Sequence, residues 1–471
     1  MQARPEAGAP SRALLINPRH TLGQALNQRY IPPTGLLTLA SYIEGRTGQS
    51  IPVYDANGPR YGEDAMLEAA REAAYVGISV WFSSHGDGMR LVEKVRKTNP
   101  HAGIIIGGPN TSGMSERILR NQPGADYVVE GDGEKALQML LQHAPLGQIP
   151  GLAYRAGDGT ITQNTPDYSL DLQEIPPMTP KQLVGGYTWQ RLGEDAAAHS
   201  AFPVSTARGC FRTNRCDYCS IPVNGRRHVS PERFWEQIDA LDRDYGIDYV
   251  FETADIFPVQ ALEGIIATRP DHLSGTRLRG YLHPGMVNGE TLARRLKGAG
   301  FVNIFMGVEN VRYFAESRQT NDHMQGRYAS SYTIDKLVEE VALLGEQGIT
   351  VMPSFVLGIP GESAGSLQRN VALIEQLATM PNVDDMSINM LKVLPGSAYF
   401  KQAMQNPSIV ERYGQMTGTD LLSEDNIDYI LLSDLFVRQY CDISPDVVRD
   451  ALLSLQDGLH GTTRVAHWEA R

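Results

Sequence analysis

The chain has 471 residues, 42 basic against 54 acidic, for a formal net charge of −12, with 42% hydrophobic and 20% charged residues. At about 100–200 residues per domain this length predicts two to four domains, and the composition excludes a wholly disordered chain. So acidic a chain lacks the field that holds phosphate backbones, so no nucleic acid is expected as partner, and no apolar run reaches the ~18 residues of a membrane span.

In chain order, residues 1–11 read as a disordered tail that carries acid and proline without the apolar stretch of a secretory signal. Over 12–145, short apolar strands at 13–17, 51–55, 75–80, 103–107 and 125–129 alternate with helical stretches such as 36–44 and 86–97. That alternation predicts an α/β domain with a doubly wound, Rossmann-like parallel sheet, whose ligands bind at the carboxyl ends of the strands. Residues 146–200 are richer in Pro, Gly and Asp and read as a connector. Strands resume at 202–206, 249–252, 278–281, 303–307, 350–357 and 386–392, six βα units that predict a partial (β/α)6, TIM-like barrel over 201–400. Residues 401–471 read as a C-terminal helical region, a lid or wall, with helices at 427–440 and 445–455.

The cysteines carry the sharpest chemical signal. Four cannot form a disulfide framework in a chain this long, which suits a reducing, cytoplasmic location. Three of them, Cys210, Cys216 and Cys219, lie within ten residues, in the loop after the first strand of the second domain. Three thiolates cannot complete a structural zinc site unless a further ligand such as His228 joins them. They can hold an iron–sulfur cube with one iron left for a small-molecule ligand. Gly209 and the flanking Arg208, Arg212 and Arg215 favour thiolates. Cys441 stands alone in a helical stretch and reads as an apolar buried thiol.

With Tyr218 before the last cysteine, this loop resembles the cluster loop of the radical S-adenosylmethionine (SAM) enzymes. Their commonest spacing is Cys-x3-Cys-x2-Cys; here the first gap is five residues. Further similar elements follow in the family's order: Glu252 and Asp255, then Gly307, Glu309 and Asn310, then Gly358, Pro360, Gly361 and Glu362, then the turn at 394–397. The resemblance implies a [4Fe–4S] cluster ligated by Cys210, Cys216 and Cys219. It also implies SAM contacts from Tyr218, Glu252, Asp255, Glu309, Asn310, Gly358 and Pro360. On the residues alone, Glu309 has the alternative reading of a satisfied barrel acid, and Gly358 and Gly361 that of a strand-to-helix turn.

A second resemblance lies upstream. Asn17, Pro18, Pro33, Gly35, Asp55, Gly107, Gly108, Pro109, Glu130 and Gly131 are similar to positions of the cobalamin-binding domain fused to many radical SAM enzymes. Glycines at strand ends admit a large cofactor, and Ser79, Ser83 and Ser84 are placed to hydrogen-bond its nucleotide tail. Asp55 has the alternative reading of a helix N-cap, and Trp81 reads equally as core filling or as a pocket wall. The lower-ligand motif Asp-x-His-x-x-Gly is absent. Partial versions at His20–Gly23 and His85–Gly88 both lack the orienting Asp.

Together the resemblances imply a cobalamin-dependent radical SAM methyltransferase acting on an unactivated carbon of a small-molecule or natural-product intermediate. A one-electron donor such as flavodoxin or ferredoxin is then required. The alternative is a non-methylating enzyme of the same build performing rearrangement, cyclisation or oxidation; a different class is a cluster-based redox sensor. Tyr281, His283 and Tyr332 line the substrate cavity or pack ordinarily.

Overall fold

The computed structural model describes residues 13–20, 31–58, 60–185, 201–210, 216–221, 226–287, 289–314, 332–383, 385–459 and 464–466. The N-terminal domain runs β1 (Ala13–Asn17), α1 (Thr34–Thr47), β2 (Val53–Asp55), α2 (Glu63–Arg71), β3 (Tyr75–Ser79), α3 (His85–Thr98), β4 (Gly103–Gly107), α4 (Ser115–Asn121), β5 (Tyr127–Val129) and α5 (Gly133–Leu141). Its sheet has the order β2-β1-β3-β4-β5, all parallel, so the chain switches direction between β1 and β3. In such a sheet the crevice for a ligand lies above that switch point. Alternate residues serve two cores: Leu15, Tyr75 and Ile105 face α1 and α5, while Leu14, Ile16, Val76, Ile78, Ile104 and Ile106 face α2, α3 and α4. Both faces are covered, which is why these strands read as unbroken apolar runs.

The stretch expected as a connector is partly sheet. β6 (Leu152–Arg155) adds antiparallel to β5, and β7 (Ile161–Gln163) to β6, making seven strands. The chain then returns to β2, where Val184 N–H donates to the Val53 carbonyl at 2.9 Å. Strands this short carry too few residues for an alternation signal.

The second domain begins with β8 (Phe202–Val204), followed by a ribbon of β9 (Ala207–Arg208) and β10 (Arg227–His228). Then come α6 (Pro231–Tyr245), β11 (Tyr249–Glu252), α7 (Leu262–Ala267), β12 (Arg277–Leu282), α8 (Glu290–Ala299), β13 (Phe301–Glu309), α9 (Ile334–Glu346), β14 (Thr350–Leu357), α10 (Ala364–Ala378) and β15 (Asp385–Met390). Local signals set these boundaries: α6 starts at Ser230, whose hydroxyl accepts from Arg233 N–H, and stops at the left-handed Gly246. The sheet order is β16-β15-β14-β13-β12-β11-β8, every pair parallel, an open curved sheet. Its seventh strand, β16 (Arg464–Ala466), lies where the sequence reads as helix throughout; three residues leave no periodic trace.

The remaining helices are α11 (Ala398–Met404), α12 (Pro407–Thr417), α13 (Tyr429–Tyr440) and α14 (Pro445–Gly458). They do not form a simple lid. Tyr399, Phe400, Ile409, Tyr413, Leu432 and Phe436 join the N-terminal core beside α3 and α4, while Val437 and Leu452 join the barrel core. The C-terminal region is therefore a brace between the two domains. Among the described residues no helix is long and apolar enough to cross a membrane.

Candidate active site

The carboxyl edge of the N-terminal sheet gathers most of the residues expected there. β4 ends at Gly107, where an added Cβ meets nothing within 4 Å, and Gly108, whose φ of +99° and contacts with the Val80 carbonyl (2.6 Å) and Ser79 Oγ (2.8 Å) demand glycine. Pro109 follows on a short 3-10 turn. Gly35 is exposed in the first turn of α1, and Pro33 stands at its N-cap. Asp55 is buried instead of capping a helix; its Oδ1 accepts from Asn17 Nδ2 (2.9 Å), Asn57 N (3.0 Å) and Asn57 Nδ2 (3.1 Å), fixing the loops after β1 and β2. Glu130 turns away to receive Gln163 Nε2 of β7 at 3.0 Å, and Gly131, at φ +99°, packs against the Asp167 carbonyl. Trp81 is 40% exposed beyond β3, with His20 edge-on to it at 6.0 Å, so it is not core filling. Small residues and one open indole thus frame a shelf at the carboxyl edge of the sheet, where the backbone can approach a ligand closely.

The two histidines differ. His85 is buried, with Nδ1 taking the Asn110 amide (2.9 Å) and Nε2 on Asp425 (3.1 Å). Since the amide is a donor, the His85 proton sits on Nε2, and both nitrogens are engaged in fastening the C-terminal brace. His85 is no metal ligand. His20 Nδ1 bonds Ser83 Oγ at 2.7 Å, and burial holds its pKa below the ordinary value, against the opposing pull of Asp55.

Cys210, Cys216 and Cys219 are half-buried and follow β9 in one loop, of which 211–215 and 222–225 lie outside the described residues. Cys219 N–H donates to the Cys216 carbonyl at 2.9 Å, a tight turn around Tyr218, which packs against the N-terminal core. Among the described residues no three His, Cys, Asp or Glu side chains are grouped closely enough to share a metal. The donor set nevertheless matches a cluster with one open iron: three thiols on one loop and no fourth. Cys441 is elsewhere, its thiol directed at the Gly358 and Ile359 carbonyls and pushed up to about 12 by burial. His228 is exposed and bonds the Val229 carbonyl. On the loop's far side Tyr399 N–H donates to the Asp217 carbonyl (3.0 Å), and Gly396 of the 394–397 turn lies against the Ser220 carbonyl and Ser112 of the N-terminal domain.

The barrel-end acids act on this loop and on their own turns. Asp255 Oδ2 accepts from Gly209 N–H at 2.7 Å, directly before Cys210; burial raises its pKa, and Gly209 and Arg208 oppose the rise. Glu252 is fully buried: Oε1 receives Thr206 Oγ1 (2.5 Å) and Ala254 N (3.0 Å), while Oε2 has no partner. Burial pushes its pKa up to about 7. Glu309 closes β13 at φ +68°, a left-handed conformation costly for a non-glycine residue. Its neighbour Asn310 is fully buried, donating to the Val356 carbonyl (3.0 Å) and to Glu362 (3.3 Å). Glu362 also receives Gly358 N (2.6 Å) and Asn370 Nδ2 (2.7 Å), and the Pro360 carbonyl is held by Arg312. Asn310, Gly358 and Pro360 therefore build the turn that follows β14, and Glu362 is its hub.

Tyr281 points into the barrel between Phe251 (5.2 Å) and Phe305 (4.7 Å), with His283 at the end of its strand. Tyr332 is packed away: its ring stacks on Phe314 and its hydroxyl donates to Glu340 at 2.9 Å. Sequence reasoning missed Asp425 and Asp132, whose partners are distant in the chain, and gave Glu362 only as part of a motif, without its role of holding the turn.

Residues 28–141 match the B12 binding domain family and residues 204–374 the Radical SAM superfamily. Among curated relatives, an uncharacterized methyltransferase, PH0819, of Pyrococcus horikoshii is 23% identical over 388 residues, 80% of this chain and 79% of that one. An anaerobic magnesium-protoporphyrin IX monomethyl ester cyclase of Rubrivivax gelatinosus is 22% identical, covering 91% and 76%. Among solved structures, the radical SAM methyltransferase TsrM of Kitasatospora setae, with cobalamin and a [4Fe–4S] cluster, has a TM-score of 0.62 at 20% identity, over 87% of this chain and 76% of that one. The cobalamin-dependent SAM radical enzyme OxsB has a TM-score of 0.66 at 15% identity, over 96% and 67%. The chain therefore joins a B12-binding domain to a radical SAM domain.

Proposed function

We propose that this chain is a cobalamin-dependent radical SAM methyltransferase acting on an unactivated carbon of a small molecule. The observation that carries this reading is that the three-thiol loop and the glycine-framed shelf occur in one chain, braced together by α11–α13. Bound there, cluster and SAM supply a 5′-deoxyadenosyl radical and cobalamin a transferable methyl group. Cys210, Cys216 and Cys219 are the ligands that leave one iron for SAM, and Asp255 steadies Gly209 beside them. Glu309 stands at the barrel mouth, where a carboxylate can orient the SAM ribose or amino group. Ser79, Gly107, Gly108, Pro109 and Trp81 frame the cobalamin side. Tyr281, Phe305 and Met352 stand in register on three adjacent barrel strands, with Arg279 Nη2 on the Met352 sulfur at 3.1 Å, and together crowd the barrel against water. A small-molecule substrate fits the TsrM structure, which was also obtained with tryptophan. The electron comes from an external donor of the flavodoxin or ferredoxin class.

A second reading, cyclisation without methyl transfer, is favoured by the three cyclase relatives at 22–25% identity. Anaerobic reconstitution with iron, sulfide and hydroxocobalamin, followed by methyl-labelled SAM, dithionite and a small-molecule extract, distinguishes the two. The proposal expects 5′-deoxyadenosine and label in a product. 5′-Deoxyadenosine with no labelled product supports the second reading, and its absence overturns both.

A further inference from the structure

The base of the cysteine loop is fastened to the N-terminal domain by four charged side chains. Arg208, two residues before Cys210, gives Nη1 to Asp132 (3.0 Å) and both Nη1 (3.2 Å) and Nη2 (2.5 Å) to Glu134, a forked contact. Arg227, its cross-strand partner on β10, gives Nη1 to the other oxygen of Asp132 (2.5 Å) and to the Leu170 carbonyl (2.9 Å). Glu134 is 2% and Asp132 10% exposed at the side chain, so this is not a solvated surface pair. Asp132 occupies the N-cap of α5 yet makes no side-chain cap bond; its carboxylate faces the arginines. The positive end of α5 adds to the stabilisation of both acids.

Two facts give this cluster a role beyond cohesion. Among the described residues the β9–β10 ribbon pairs Arg208 with Arg227 and Ala207 with His228, with one further bond from Val229 N–H to the Thr206 carbonyl (2.9 Å), too little to hold an eighteen-residue loop by itself. The acids belong to the turn 130–134, which closes β5 at the carboxyl edge of the N-terminal sheet, beside the glycine-framed shelf. One short turn thus ends a strand of the N-terminal sheet and, through Asp132 and Glu134, grips the base of the thiol loop. Forked, desolvated arginine–carboxylate contacts fix register more than they add stability.

We propose that Asp132 and Glu134 are positioning residues that hold the cysteine loop at a set distance from the N-terminal ligand shelf; the inference rests on the two-cofactor reading above. The test uses the full chain carrying Asp132→Asn with Glu134→Gln, and Arg227→Lys as a milder variant. Without cofactors, amide hydrogen exchange over 205–210 and 226–230 is expected to quicken about tenfold or more in the double variant, with α1 and α9 unchanged. After reconstitution, the variants are expected to keep iron and cobalamin within about twofold of the parent, because no ligand is removed. Power saturation of the cobalt(II) resonance, which reads its distance from the reduced cluster, then shifts several-fold toward slower relaxation. Unchanged exchange and unchanged saturation overturn the proposal. If the double variant does not fold, Arg227→Lys decides by the same two readings. A parent chain that takes up iron but no cobalamin defeats the two-cofactor reading, while the exchange measurement still judges the lock.

Discussion

The two strand-end regions of this molecule use their polar residues in opposite ways. At the N-terminal sheet edge the floor is glycine and proline, and one ring, Trp81, is left open to solvent. At the barrel edge the acids turn inward: the buried Glu252 and Glu362 hold Thr206 and the Gly358 turn, and the half-buried Asp255 holds Gly209. A shelf for a large cofactor needs backbone approach, so side chains are removed there. A loop carrying reactive thiols needs fixing from below, so carboxylates are recruited there. Motif residues at the barrel edge are thus largely builders of turns, whereas those at the sheet edge mainly leave space.

Substitutions break this contrast in order of size. Cys216→Ala removes one of only three loop thiols, and reductive SAM cleavage should fall by at least about a thousandfold, read as 5′-deoxyadenosine per hour; retained cleavage breaks the assignment of the loop. Glu362→Ala leaves Gly358 N–H and the Asn310 and Asn370 amides without their acceptor, and should cost about 3 kcal/mol in denaturant unfolding, with Glu362→Gln costing less.

Glu252 sharpens the contrast through pH. Its folded pKa, about 7, lies above the ordinary 4.5 because burial disfavours the carboxylate, so between those values the folded chain binds more protons than the unfolded one. Stability must therefore fall as pH rises from 4.5 through 7, by up to about 3 kcal/mol from this group. Melting temperatures of the cofactor-free chain from pH 5 to 8 should decline more steeply than those of Glu252→Gln, whose amide fills the position of the unpaired Oε2. Equal slopes remove the buried acid from the account. Gly108→Ala tests the opposite edge: its Cβ meets the Val80 carbonyl at 2.6 Å with φ +99°, and the loss should be about 1–3 kcal/mol in stability, with weaker cobalamin uptake by equilibrium dialysis.

Much of the framework was legible along the chain. β1, β4 and β14 lie where their apolar runs predict, because fully covered parallel strands have to be continuous in hydrophobicity. The cysteine spacing likewise marked its loop, since three thiols within ten residues fall on one stretch of chain. Legibility ended where a partner comes from far away. The connector reading missed β6 and β7, and the helical reading missed β16; each is a strand of three or four residues selected by an existing sheet edge. Asn310 and Asp55 have the right identities for ligand contact, yet distant or looped-back partners claim them.

Length, charge and four cysteines determined a multidomain α/β chain with one thiol centre, because composition and periodicity are local properties. Only the tertiary structure decided which acids serve that centre. Asp132 and Glu134 sit 74 or more residues before the arginines they receive, and His85 lies 340 residues from Asp425. No pattern along the chain encodes such pairs. They exist because folding brings two sheet edges and a helical brace together, and buried polar and charged groups there must find partners.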